Sequence, residues 1–372
     1  MDAVDGWWVF PGFRIELVAT GLHKPVNVAM SHRRDGPMLY VSELYGRIRY
    51  VTMDCRVGTF AEGLLNYEPD YVLPGSGESG VIGLCVDPAS GDVFASMLYL
   101  DDGRPFSRVV RMSTADGLKA DNAEVILDGI RSTFNAHQVQ ALTIGPDGKL
   151  YVNLGDGYDE PEVARRDDDL RGKVLRMNLD GSVPDDNPVE GSLVFAKGFR
   201  NPFGAAWRRS DRSLYISDNG QQSYDRIARV ERNGDYGWPP DMRQGSLFWW
   251  TFTQAPTALD FAQDGQFGER FNDHLFVALA GPARHKAPLM KGKKIVKLEL
   301  GSEGVLSYDD FVVYAGEGLA MPVGLTFGHD GMYFTDLHGE GDVYGKKPGG
   351  NVFRVVRSEG GEGPGKGLRH AE

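Results

Sequence analysis

Apolar and polar residues alternate in short runs along this chain, and the runs are paired across turn-forming residues. The clearest pair lies within residues 135–159: Ala141 and Thr143 alternate with Leu142 and Ile144, Pro146-Asp147-Gly148 follows, and Leu150, Val152 and Leu154 alternate again. Period-two hydrophobicity on both sides of a Pro-Asp-Gly turn predicts a β-hairpin. The same unit starts at Lys24, Ser79, Ala136, Arg200, Pro256 and Ala320, at intervals of about 55 to 65 residues, and each copy reaches a third run such as RGKVLRMN or DRIARVE. Repeats of three strands at this period signal the blades of a propeller.

A fourth strand fits between copies, at VGTFAEGL, AEVILDGI, SLVFAKGF and DFVVYAGEG, while residues 247–254 fill that slot less regularly. No strand follows the sixth copy, whose tail is SEGGEGPGKGLRHAE. The missing strand is FRIELVA, residues 13–19, at the other end of the chain; using it there closes the ring and removes an open sheet edge. The expected fold is all-β: a six-bladed β-propeller with four-stranded antiparallel blades closed by the N-terminal strand. It is expected to form a single domain over residues 1–357, with a flexible Gly-rich tail at 358–372.

Composition narrows the classes of partner. With 49 Gly, 20 Pro and a net charge of −12, the chain suits turns and strands and disfavours nucleic acid or anionic membrane, both of which need clustered Lys and Arg. No run approaches a membrane-spanning length. The start, MDAVDGWWVFPGF, lacks the basic and apolar regions of a signal peptide; the chain as given reads as cytoplasmic, or as periplasmic or secreted if a signal has been removed. Cys55 and Cys85 lie in unlike contexts and read as two free thiols.

Blade geometry sorts the loops by face. The approach to each first strand and the turn between the second and third strands lie at one channel mouth, and the Pro-Asp-Gly-type turns lie at the other. One mouth therefore receives Lys24, Glu78, His137, Arg200, Asn201 and Gln254, together with Glu43, Asp156, Asp218, Asn219, Arg284, Lys286, Asp336 and His338. His137 precedes and Asp156 follows one hairpin, so the fold should bring them together, and a carboxylate beside an imidazole can hold a general base. An ordinary surface hairpin is the plain alternative. Trp249 and Trp250 could stack on a ring or pack in the core.

The motifs GVIGLCVDP, GPDGKLYVNLGDG behind His137, RGKVLRMNLDGSVPDDNPV, GFRNPFGAAW, SDNG and NGDYGWP, in this order, resemble the soluble glucose/sorbosone dehydrogenase family, propellers that use pyrroloquinoline quinone (PQQ) and calcium. The resemblance implies that His137 removes the hydroxyl proton of a sugar while hydride passes to the quinone, that Asp156 pairs with it, and that Arg200 and Asn201 contact cofactor and developing charge. It also implies a calcium ion on backbone carbonyls at Gly220 and Gln221, with Asp225 in the same oxygen-rich loop. Departures from the pattern accompany it. Glu78 stands where the family commonly has Gln, and Arg226 stands where a carboxylate is usual. The Arg residues expected before the last blade are replaced by Leu319-Ala320-Met321-Pro322. Arg284 and Lys286 are the candidates to balance the cofactor's carboxylates instead, and Arg226 is expected against Asp225 if the calcium is absent. Three readings follow: a PQQ-dependent dehydrogenase of a sugar or polyol; a quinone-independent hydrolase, lyase or isomerase using His137, Asp156 and Arg200; or a non-catalytic propeller that binds a small molecule.

Overall fold

The structure, a computed structural model, describes residues 6–68, 78–133, 136–281, 292–301, 304–316, 319–338 and 349–358. Each alternating run of the sequence is a strand, and six antiparallel sheets form the blades of a propeller. Blade one contains β3 (Pro25–Met30), β4 (Leu39–Glu43), β5 (Arg47–Val51) and β6 (Val57–Ala61); blade two contains β7 (Val81–Val86), β8 (Val93–Asp101), β9 (Arg104–Ser113) and β10 (Asn122–Arg131). Blade three contains β11 (Val139–Ile144), β12 (Leu150–Leu154), β13 (Lys173–Met177) and β14 (Val194–Lys197). Blade four contains β15 (Pro202–Arg208), β16 (Ser213–Asp218), β17 (Asp225–Val230) and β18 (Phe248–Trp250). Blade five holds β19 (Pro256–Phe261), β20 (Leu275–Leu279), β21 (Lys294–Leu300) and β22 (Val305–Tyr314), and blade six holds β23 (Pro322–Gly328), β24 (Gly331–Asp336) and β25 (Gly350–Arg357). The first strands β3, β7, β11, β15, β19 and β23 touch one another in turn and line the central channel.

Ring closure follows the expected route. Strand β2 (Phe13–Leu22) pairs antiparallel with β25 as the outermost strand of blade six, with Leu17 opposite Phe353 and Glu16 opposite Arg354. The Arg354 guanidinium donates to Glu16 at 2.9 Å across the pair. A short strand β1 (Trp7–Val9), without an alternating pattern of its own, adds a fifth strand to blade five beside β22. Trp7 is buried between blades five and six, its ring 5.0 Å from Tyr314 and 5.3 Å from Phe334, in a core with Phe13, Phe267, Phe276 and Phe311. The N-terminus thus bridges the two blades by hydrogen bonding and by packing.

Between blades, a buried polar group on the second strand repeatedly reaches the first strand of the next blade. Ser42 donates to Ile82 O at 3.1 Å, Ser96 to Gln140 O at 2.7 Å, Asn153 to Gly204 O at 3.1 Å and Ser217 to Pro256 O at 3.3 Å. Buried backbone groups at blade seams need partners, and these side chains supply them. Gly83 shows how tight the seam is: an added Cβ would lie 2.1 Å from Gln140 O and 2.5 Å from Ser96 Oγ. The tail 359–372 lies outside the described residues.

Removing residues 1–22 should lower the melting temperature by roughly ten degrees or more, because β25 becomes an open edge and the Trp7 and Phe13 core is lost. Thermal unfolding followed by circular dichroism checks this; an unchanged melting temperature would contradict closure through β2.

Candidate active site

The hairpin β11–β12 returns its two flanking loops to one mouth, and there His137 Nδ1 lies 2.6 Å from Asp156 Oδ1. His137 holds a left-handed backbone, φ 56°, uncommon for a residue with a side chain. Its N–H donates to Glu78 Oε2 at 2.8 Å and its carbonyl accepts Gly157 N at 3.1 Å, so the backbone is pinned from both sides. Gly155 makes the close approach possible, since a Cβ there would sit 2.5 Å from His137 O.

Asp156 is almost wholly buried and accepts three times: from His137 and Tyr158 N (2.8 Å) at Oδ1, and from Trp238 Nε1 (2.8 Å) at Oδ2. Burial opposes its charge, but the bonds from His137, Tyr158 N and Trp238 outweigh burial and hold its pKa below the ordinary value. An ionised Asp156 accepts a hydrogen bond from Nδ1–H, which leaves Nε2 as the acceptor of the imidazole.

Arg200 and Asn201 open β15 on the same mouth. Their backbone N–H groups donate to Asp218, at 3.2 Å and 2.7 Å. Asp218 is in turn paired with Arg226 at 2.7 Å, both side chains fully buried. The Arg226 guanidinium also donates to the carbonyls of Gly198, Tyr236, Met242 and Gln244, at 2.6 to 3.0 Å. It thereby fixes the segment that carries Trp238. Arg226 therefore lies against Asp218 rather than Asp225, because adjacent strand residues point to opposite faces. Asp225 instead accepts the N–H groups of Gly220 (2.8 Å), Gln254 (2.6 Å) and Ala255 (2.8 Å) and the Thr253 hydroxyl (3.0 Å). Burial outweighs those donors and raises its pKa.

The Arg200 guanidinium donates to the carbonyls of Asn219 and Gly220, both at 2.9 Å, and lies 5.6 Å from the Trp238 ring. The Gly220 carbonyl thus already has a cationic partner. The Gln221 side chain is exposed. Among the described residues no group of three or more His, Cys, Asp or Glu is placed to hold a metal ion. Arg284 and Lys286 lie outside the described residues.

Glu78 joins blades two, three and four at the mouth. Its Oε2 accepts His137 N, Asn201 Nδ2 at 3.2 Å and Gln140 Nε2 at 3.4 Å, and Gln140 Nε2 also reaches Asn201 Oδ1 at 3.2 Å. The residue keeps some accessible surface, but its carboxyl is packed round by protein; burial raises its pKa against the opposing influence of His137, Asn201 and Arg200. Across the mouth, Lys24 Nζ lies 3.0 Å from His338 Nδ1. Burial pushes Asp336 up to about 7, against hydrogen bonds from Met321 N, His338 N and Asn351 and the charge of Lys24. Buried amide atoms without a protein partner surround this mouth: both polar atoms of Gln138, Oε1 of Gln140, Oδ1 of Asn219 and Oε1 of Gln254.

Trp238 carries a part of the site that the sequence did not single out, through its bond to Asp156. The motif NGDYGWP contained Trp238, but one indole N–H leaves no pattern that assigns its acceptor. Trp249 and Trp250 are on β18, the outermost strand of blade four, where Trp250 packs on Phe248 with ring centroids 4.8 Å apart; they are away from the mouth. A cavity of about 540 Å³ lies at the opposite end of the channel, among first-strand residues and the hairpin-turn residues Pro146 and Arg209, and contains none of the His137–Asp156 site.

The profile of the Glucose / Sorbosone dehydrogenase family matches residues 22–302. Quinoprotein glucose dehydrogenase B of Acinetobacter calcoaceticus is 31% identical over 204 residues, 46% of this chain and 42% of that protein. Hedgehog-interacting protein of Homo sapiens is 26% identical over 334 residues, 78% of this chain and 46% of that protein. The chain thus spans less than half the length of these curated relatives. The crystal structure of an oxidoreductase assigned as a glucose dehydrogenase, from Thermus thermophilus, superposes with a TM-score of 0.74 at 27% identity, covering 93% of this chain and 100% of that one. With its six blades and a family match over most of its length, the chain belongs to the glucose/sorbosone dehydrogenase family.

Proposed function

We propose that the protein oxidises a hydroxyl group of a sugar or polyol, with His137 as general base and a quinone as hydride acceptor. The observation that carries this reading is the 2.6 Å bond between His137 Nδ1 and Asp156 Oδ1. The substrate O–H bond breaks toward Nε2, the proton stays on the imidazole, and the carbon–oxygen bond becomes a carbonyl. Asp156, held ionised by Trp238 and Tyr158 N, stabilises the imidazolium that results. Arg200 supplies a fixed positive charge for the oxygen as its proton leaves. A bound quinone such as PQQ supplies the two-electron acceptor for the hydride that leaves carbon.

Orphaned amide atoms at Gln138, Gln140, Asn219 and Gln254 are consistent with a chamber for an oxygen-rich ligand, because buried polar groups cost free energy when left unpaired. Arg200, Asn201 and Lys24 are the described residues that would hold a quinone with acidic substituents. Calcium fits less well. Its proposed ligand Gly220 O accepts a guanidinium, and the Asp225 carboxylate is taken up by four protein donors. The capped Gly220 carbonyl also favours a second reading, in which the same His137, Asp156 and Arg200 serve a hydrolase, lyase or isomerase without quinone or calcium.

His137→Asn, chosen because Asn tolerates a left-handed backbone, should lower kcat for aldose oxidation by about a hundredfold or more. The melting temperature should stay within about two degrees of wild type. Steady-state kinetics beside a thermal melt checks this, and retained turnover would remove His137 from the mechanism. Calcium alone, titrated calorimetrically into chelator-stripped protein, should give no binding heat. A rise in melting temperature with calcium that Asp225→Asn abolishes would show that the loop rearranges to take the ion.

A further inference from the structure

Glu78 has no part in the proton transfer, yet it is bonded to the backbone of the group that performs it. Three donors from blades three and four converge on its Oε2: His137 N at 2.8 Å, Asn201 Nδ2 at 3.2 Å and Gln140 Nε2 at 3.4 Å. All three are neutral, and among the described residues no Lys or Arg is ion-paired with it. The other acids around His137 and Arg200 are committed elsewhere. Asp156 holds His137 and Trp238, Asp218 holds Arg226, and Asp225 holds backbone N–H groups. Arg200 acts on Glu78 only from a distance, since its guanidinium is turned to the carbonyls of Asn219 and Gly220.

The surrounding polarity points the same way. Gln138 presents one unpartnered donor and one acceptor, and the unpartnered oxygens of Gln140, Asn219 and Gln254 are acceptors. Their assignment as oxygens is fixed, because the amide nitrogen of each already donates to a protein oxygen. Ionised Glu78 adds another acceptor-only group. These acceptors match a neutral ligand with several O–H donors and repel carboxylates, whereas Arg200 and Lys24 at the same mouth attract them. A protonated Glu78 removes the repelling charge and provides one O–H donor.

We infer that Glu78 selects ligands by charge: ionised, it keeps the chamber for neutral, hydroxyl-rich molecules, and protonated, it admits a polycarboxylate. The inference rests on the quinone reading for the polycarboxylate it names. The charged groups facing Glu78 are His137, with Asp156 behind it, on blade three and Arg200 on blade four. Lys24 and Glu43 flank the blade-one loop whose Leu44 carbonyl accepts Val81 N at 3.0 Å. As pH rises, Glu78 loses its proton and affinity for the polyanion falls. Asp336, pushed up to about 7 at the same mouth, loses its proton in the same range, so the contribution of Glu78 is read by comparison with a variant that cannot ionise there.

The test is calorimetric binding of PQQ to wild type and Glu78→Gln at pH 5.5, 7.0 and 8.5, with melting temperatures recorded alongside. Glu78→Gln should bind the quinone about tenfold or more tightly than wild type at pH 8.5, about 1.4 kcal/mol, and the difference should shrink as the pH is lowered to 5.5. A wild-type to variant ratio that does not change with pH overturns the role of Glu78 and leaves the quinone reading standing. Absence of binding in both proteins at every pH overturns both. Should Glu78→Gln fail to fold, the double variant His137→Asn/Asp336→Asn decides the matter, since it retains Glu78 and lacks both the imidazole and the Asp336 carboxyl. PQQ affinity that still falls with pH supports the inference, and a flat profile overturns it.

Discussion

The candidate site depends on one buried ion pair, Asp218 with Arg226. Both side chains are fully buried, and each has a second task. Asp218 receives the backbone N–H groups of Arg200 and Asn201, and Arg226 gathers the carbonyls of Gly198, Tyr236, Met242 and Gln244. The pair therefore fixes the start of β15 and the segment bearing Trp238. Trp238 in turn bonds Asp156, which bonds His137. Breaking a buried pair by removing one partner costs about 3 to 5 kcal/mol, because the remaining charge is uncompensated. The orientation of the imidazole is thus tied to a charge pair on the neighbouring blade.

Much of the fold was legible because it is written in local patterns. Period-two alternation around turn residues gave the strands of each blade, and an unpaired sixth copy required FRIELVA at the ring closure, where β2 is found. The hairpin argument also placed His137 beside Asp156. Features that rest on single contacts between distant segments were not legible. Strand β1 has three residues and no alternation; it is defined by the burial of Trp7 between two blades. Arg226 lies against Asp218 because side chains on a strand alternate in direction, a rule that the pairing expected with Asp225 overlooked. The Gly220 carbonyl could be placed in a loop from sequence, but not the guanidinium that caps it.

The departures from the family pattern are localised at the charges around the mouth. Glu78 places a carboxyl beside His137 N–H, and Arg200 lies on the Gly220 carbonyl, one of the two to which the resemblance assigns a cation. The dyad, by contrast, is fully assembled, with Asp156 bonded to His137, Tyr158 N and Trp238. The imidazole–carboxylate pair on which the proposed proton transfer rests is thus assembled, while binding of the proposed acceptor depends on how these charges receive a ligand. Among the described residues no helix is long and apolar enough to cross a membrane.

The most direct test of the central claim is rapid-mixing absorbance of the PQQ-loaded protein with a neutral aldose and with its C1-deuterated form. The account predicts reduction of the quinone in a single turnover, measurably slower with the deuterated sugar because the C–H bond breaks in that step. A loaded quinone that no neutral aldose reduces would contradict it.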